Sequence, residues 1–338
     1  MLLAVPIALA ALQTDVGPLP KTIDVVVVRY FPVSGDRIDI RVTGDWGETL
    51  AATRAKCDAL TRELCAKLEE GSRFRGYKNP KAVPSLRYRV VADFEFREPL
   101  PTRPLRPGES APMTDYKAIL VRIGAAEWVE RRGVKQFWIW GYHGGKVGLW
   151  ESNMASPFGD VSNSDRDPTD LPIFSKTYTV FHYNYQRGIG EAIEDHMHQL
   201  EALLNHVDGR DATPPEDWPK LLFWGKFVGS DASHKIVTKP ARCGWTHYAP
   251  NSRSDYDWQN PVPVESDIED WKPDGIGKTR PIDASRWNFD PVQWRVYWMQ
   301  AIPGADHQLS YQGRPLRNWW MFVWDWDRAK REGWKLTY

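Results

Sequence analysis

Residues Ile23 to Phe31 read IDVVVVRYF, with four consecutive valines. Successive side chains of a strand point to opposite faces. A run this apolar therefore needs cover on both faces, which an internal strand of a parallel sheet receives. Gln136 to Trp140 (QFWIW) and Tyr178 to Tyr185 (YTVFHYNY) have the same character, and Leu86 to Phe96 alternates as a strand should. Between them lie helical patterns. One runs from Thr49 to Glu70. Another starts at Thr114 or Asp115 as N-cap and stops at Gly133, and a third runs from Glu191 to His206. Strands alternating with helices imply an α/β fold, a mostly parallel sheet flanked by helices. A short strand is expected near Ile38 to Val42, loop from Gly141 to Asp170, and a turn at Arg187 to Gly190. Beyond residue 209 prolines, tryptophans and turn residues dominate. That stretch is expected to be a long irregular Trp-rich extension packed on the core, with a helix near Pro291 to Ala301 and a strand near Trp319 to Trp324. Residues 1–18 are expected as part of a signal peptide and 19–338 as one domain, with 209–338 as its extension.

Leu2 to Leu12, LLAVPIALAAL, carries that export expectation. The run is too short to span a bilayer, which takes about 20 residues. With small residues Ala8, Ala10 and Ala11 near a plausible cleavage point, it matches the apolar core of a signal peptide. The expected location is secreted or periplasmic, with no stable membrane insertion. Charges balance at 44 basic and 44 acidic residues, so no general pull toward nucleic acid exists. The three cysteines argue against a disulfide framework. Cys57 and Cys65 lie eight residues apart on one helix, about 12 Å, beyond bridging distance.

In a parallel sheet, ligands gather outside the carboxyl ends of the strands. Two loops qualify. One follows QFWIW and contains His143, Lys146 and Glu151. The other, RGIGEAIEDHMHQLE, begins at Arg187. There Arg187, Gly188, Gly190 and a helix N-terminus could hold an anion. On the helical wheel Glu191, Glu194 and His198 share a narrow arc with Asp195 beside them, a pattern able to bind a divalent cation or to move protons. The same wheel describes a plain amphipathic helix. His196 projects to the apolar side, where a buried, hydrogen-bonded imidazole is expected. A third segment, CGWTHYAPNSRSDYDWQN at 243–260, offers Cys243, His247, Asn251, Asp255, Asp257 and Asn260. Its oxygens could seat calcium, although the EF-hand spacing is missing.

These stretches, with RYFPV, the QFWIWG…WESNMA loop and a late NWWMFVW, resemble a group of uncharacterised secreted bacterial proteins in the same order along most of the chain. The group's pattern has an acidic residue where this chain has Gln186, and often a histidine where it has Glu194. Arg187, Gly188, Gly190, Glu191, His198, His247, Asn251, Asp255 and Asp257 match. The resemblance implies export and one integrated unit, and no activity.

The resulting expectation is an exported hydrolase acting on a glycan or cell-surface polymer. Glu191, His198, His247 and Glu151 are its catalytic candidates. Glu191, His198, His247, Asp255 and Asp257 are candidate ligands for a divalent cation, zinc or calcium. The rival is a non-enzymatic secreted module binding carbohydrate or cell wall, using exposed tryptophans among the 18 present. A peptidase-like enzyme built on Cys243 is the third reading.

Overall fold

The structure is a computed structural model that describes residues 17–144, 146–164 and 168–338. The apolar run Leu2–Leu12 lies outside them. Contacts divide the chain into two compact units. One comprises Thr22–Ala66 and Tyr88–Gln199. The other comprises residues 17–21, Lys67–Arg87 and Leu200–Tyr338.

The first unit is built on β1 (Lys21–Tyr30), β2 (Val33–Ser34), β3 (Arg37–Ile38), α1 (Ile40–Thr43), α2 (Leu50–Gly71), β4 (Leu86–Phe96), α3 (Tyr116–Arg122), α4 (Ala125–Glu130), β5 (Gln136–Gly141), β6 (Ser152–Ala155), β7 (Tyr178–Asn184) and α5 (Ile189–Val207). Five strands form one sheet in the order β4-β1-β5-β7-β6. β1 runs parallel to β5, from Val25 opposite Gln136 to Arg29 opposite Trp140. β5 runs parallel to β7. β6 alone pairs antiparallel, with Ser152 opposite Phe181. Val25 to Val28 are wholly buried, as an internal strand covered on both faces requires. The α/β reading with a mostly parallel sheet therefore describes this fold.

Local departures have local causes. Of the strand expected near Ile38 to Val42 only Ile38, the end of β3, is one, and the rest leads into α1. Asp39 caps α1 by accepting the N–H of Arg41, and Gly44, at φ +89°, ends it. The helix expected from Thr114 to Gly133 is two helices, broken where Gly124 takes a left-handed conformation at φ +66°. The stretch Gly141 to Asp170 is not all loop, because it contains β6. α5 begins at Ile189, so Gly190 lies inside its first turn. The two cysteines of α2, Cys57 and Cys65, are not joined by a disulfide.

The second unit contains a π-helical turn (Leu222–Val228), β8 (Val264–Ser266), β9 (Arg280–Ile282), α6 (Pro291–Met299), β10 (Ser310–Tyr311), β11 (Arg314–Pro315), α7 (Met321–Trp324) and α8 (Trp326–Arg331). Its long loops are held by indoles. Trp271 donates to Lys226 O (2.8 Å), Trp298 to Gly244 O (2.8 Å) and Trp319 to Leu336 O (3.1 Å). A buried loop carbonyl needs a donor, and indole supplies one on a large apolar ring. The strand expected at Trp319 to Trp324 is instead the helical turn α7, entered through Asn318, whose side-chain oxygen accepts the N–H of Trp320. No helix among the described residues is long and apolar enough to cross a membrane.

Candidate functional site

In the first unit the carboxyl ends of the parallel strands carry three loops. Gln186, just after β7, ties them together. Its side-chain oxygen accepts the N–H of His143 (2.9 Å), and its amide donates to Thr43 O (3.2 Å) and to the Asp45 carboxylate. A carboxylate at this position could accept from His143 but could not donate to the other two. Gly144 fits against the same loop so closely that a Cβ there would lie 1.8 Å from Thr43 O.

That loop leads to Glu151. Its N–H donates to Ser164 Oγ (3.1 Å), its carbonyl accepts from His182 N (3.4 Å), and Asn163 donates to its carboxylate (2.6 Å). The next residue, Ser152, donates to Gln199 Oε1 (2.7 Å), while Gln199 Nε2 donates to Val161 O (2.7 Å). This pins α5 against the start of β6. Asp195 is one turn before Gln199 on the same stripe of α5, and so stands on the side of the helix that Glu151 approaches.

Asp195 is only 7% exposed, and no hydrogen bond to another described residue holds its carboxyl. Burial pushes its pKa well above the usual carboxylate range. The charge of Glu151 adds to that push, with Glu194 and Glu191 also contributing, while His198 opposes it. Asp195 thus shares its surroundings with the charges of Glu151, Glu194, Glu191 and His198. Glu194 and His198 face each other at 3.7 Å across one helical turn, with side chains 13% and 11% exposed.

Glu191 and Arg187 lie further out. Arg187 donates to the Glu191 carboxylate (2.6 Å), and both side chains are well exposed. The expected anion-binding cation therefore already has a carboxylate partner. Neither Gly188 nor Gly190 takes a positive φ, and a Cβ at Gly188 would meet nothing. His196 is buried as its place on the wheel required. It stacks on Phe181 at 3.9 Å and bonds Tyr183 Oη at 2.7 Å, and burial lowers its pKa to about 3.

In the second unit, His247 stacks on Trp245 at 4.8 Å, bonds Tyr256 Oη through Nε2 (3.0 Å) and stands 3.7 Å from Asp255 through Nδ1. Tyr256 itself holds a left-handed backbone, at φ +63°. Asp257 does not join this group. Its Oδ2 accepts from Arg253 N (2.9 Å) and Asn260 Nδ2 (3.0 Å), which closes the turn. Asn251 and Asn260 clamp each other through side-chain amide and backbone carbonyl, both at 2.8 Å. Cys243 is wholly buried, and burial pushes its thiol well above the usual range, which withholds the thiolate a nucleophile needs.

The residue that the wheel underrated is Asp195. Its spacing places it beside the polar arc, and its burial comes from tertiary packing that the spacing does not reveal. Compared with known proteins, the chain matches no family model, no curated protein and no solved structure.

Proposed function

We propose that this chain is an exported hydrolase that cleaves a glycan or other extracellular polymer by proton transfer at the Glu151–Asp195 pair. One observation carries the reading. Asp195 is a buried carboxyl without a hydrogen-bond partner among the described residues, beside a second carboxylate at the mouth of the sheet. Two carboxyl groups whose surroundings separate their protonation are the usual acid and base of glycoside cleavage. Asp195, held neutral, gives its proton to the leaving oxygen. Glu151 takes a proton from the water that adds to the sugar carbon. The Asn163 amide fixes the Glu151 carboxylate for that task. Glu194 and His198 stand beside the pair as a relay or substrate contact.

The tryptophans support this less than their number suggests. Most of the 18 are buried, and Trp46, Trp128, Trp150, Trp218 and Trp324 are half-buried. The glycan reading rests on the acids instead. A second reading, metal-assisted hydrolysis, is favoured by the nearly buried Glu194–His198 face. Zinc or calcium held there would polarise the scissile group.

Release of reducing ends from a panel of cell-wall glycans tests the first reading. Asp195→Asn and Glu151→Gln should each lower turnover by about 10²-fold or more, with Glu191→Ala within a few-fold of the parent. Full activity in Asp195→Asn, with its fold verified by circular dichroism, sinks the proposal. Elemental analysis of the purified protein, and activity after chelation, decide the metal reading.

A further inference from the structure

The second unit carries a cleft of about 880 Å³ that the hydrolytic reading does not use. That volume lies within the range of pockets that hold small organic ligands. Its floor is apolar and includes Val262, Val264 and Ile276. Val262 and Ile276 are 43% and 54% exposed, which is high for large aliphatic side chains lying together. Lys239, Arg253 and Glu265 provide its charges. All three are exposed, and no ion pair joins any of them to another described residue. The walls are fixed. Asn251 donates to Asn260 O (2.8 Å) and Val262 O (3.0 Å), and the Arg253 N–H is held by Asp257.

We propose that this cleft binds a small amphipathic carboxylate, with its hydrocarbon body on the aliphatic floor and its head toward Lys239 and Arg253. Two cations against one anion leave the lining with a net positive charge, which favours a mono-anionic head over a neutral or cationic one. A free hydrocarbon body supplies what the exposed aliphatics lack, an apolar partner excluding water. Glu265 opposes the head, so its removal tightens binding.

Calorimetric titration of the full chain with octanoate, 1-octanol and octyltrimethylammonium tests this. Octanoate should bind saturably at one site and more tightly than the other two. Arg253→Gln and Lys239→Gln should each weaken octanoate by about two- to fivefold and leave octanol unchanged. Glu265→Gln should strengthen octanoate by a similar factor. These side chains are exposed, so the variants should melt like the parent. Absence of saturable octanoate binding overturns the proposal. So does equal affinity for all three heads, or indifference of octanoate to Arg253→Gln and Lys239→Gln combined. The hydrolytic reading stands or falls separately, since Asp195→Asn leaves this titration untouched.

Discussion

Asp195 and Glu191 lie one turn apart on the same helix and differ in what a single substitution should do. A carboxyl whose pKa is raised by the fold binds its proton more tightly in the native than in the unfolded chain. Its contribution to stability is therefore greatest at low pH and is lost as pH rises through the native value. Asparagine mimics the protonated form and removes that loss. Asp195→Asn should match the parent in urea denaturation near pH 4. At pH 8 it should exceed the parent by on the order of 1–3 kcal/mol, the scale of an unsatisfied buried polar group. Glu191 makes an exposed pair with Arg187 at i,i+4. Glu191→Ala should cost no more than about 0.5 kcal/mol, and that little should vanish in 1 M salt. If urea midpoints show the reverse order, the burial assigned to Asp195 is wrong.

Elements decide where those side chains meet, and at Gly144 an added Cβ would lie 1.8 Å from Thr43 O at the end of α1. Gly144 also sits at φ +46°, where a Cβ is strained in any case. Gly144→Ala should force the Glu151 loop away from its neighbour. Turnover should fall by about tenfold or more, while the melting transition, governed by the buried β1–β5–β7 core, shifts less. Hydrogen exchange should quicken over residues 142–151 and not over 136–141. The same contrast shows which parts of the fold were legible beforehand. Strands β1, β5 and β7 announce themselves because continuous burial demands continuous apolarity. β6 does not. Its sequence, Ser-Asn-Met-Ala, is short and half polar, and it becomes a strand through pairing with β7 and the Ser152–Gln199 bond. Both partners are tertiary. The Glu191–Glu194–His198 stripe was legible from helical spacing, but the burial of Asp195 beside it depended on tertiary packing. At Trp319 to Trp324 apolarity misled, since six apolar residues in a row suit a strand or a packed helical turn equally. Asn318 settled it in favour of the turn.

For the whole chain, buried imidazoles set the response to acid. Burial lowers His182 and His196 to about 3 and His307 to about 4. An unfolded histidine takes a proton near pH 6.5. Between pH 6.5 and the native values the unfolded chain thus binds more protons than the folded one, and stability falls as pH falls. Buried acids act oppositely. Asp208 is pushed up to about 6 by burial, and it withdraws stability as pH rises from about 4 to 6. Asp195, raised well above the usual range by burial, acts in the same sense as Asp208, so the histidines are best read in Asp195→Asn. In that background urea midpoints should decline as pH falls from about 6.5 toward 4. The decline should be shallower in His182→Gln. That imidazole is buried beside Gly141, bonds Tyr116 Oη (3.0 Å) through Nδ1 and has no partner at Nε2 among the described residues. Glutamine loses part of that packing yet cannot be charged. At pH 8 the variant should therefore be the less stable protein, and the gap should narrow on acidification. A gap that widens below pH 6 would mean that His182 is protonated in the native state.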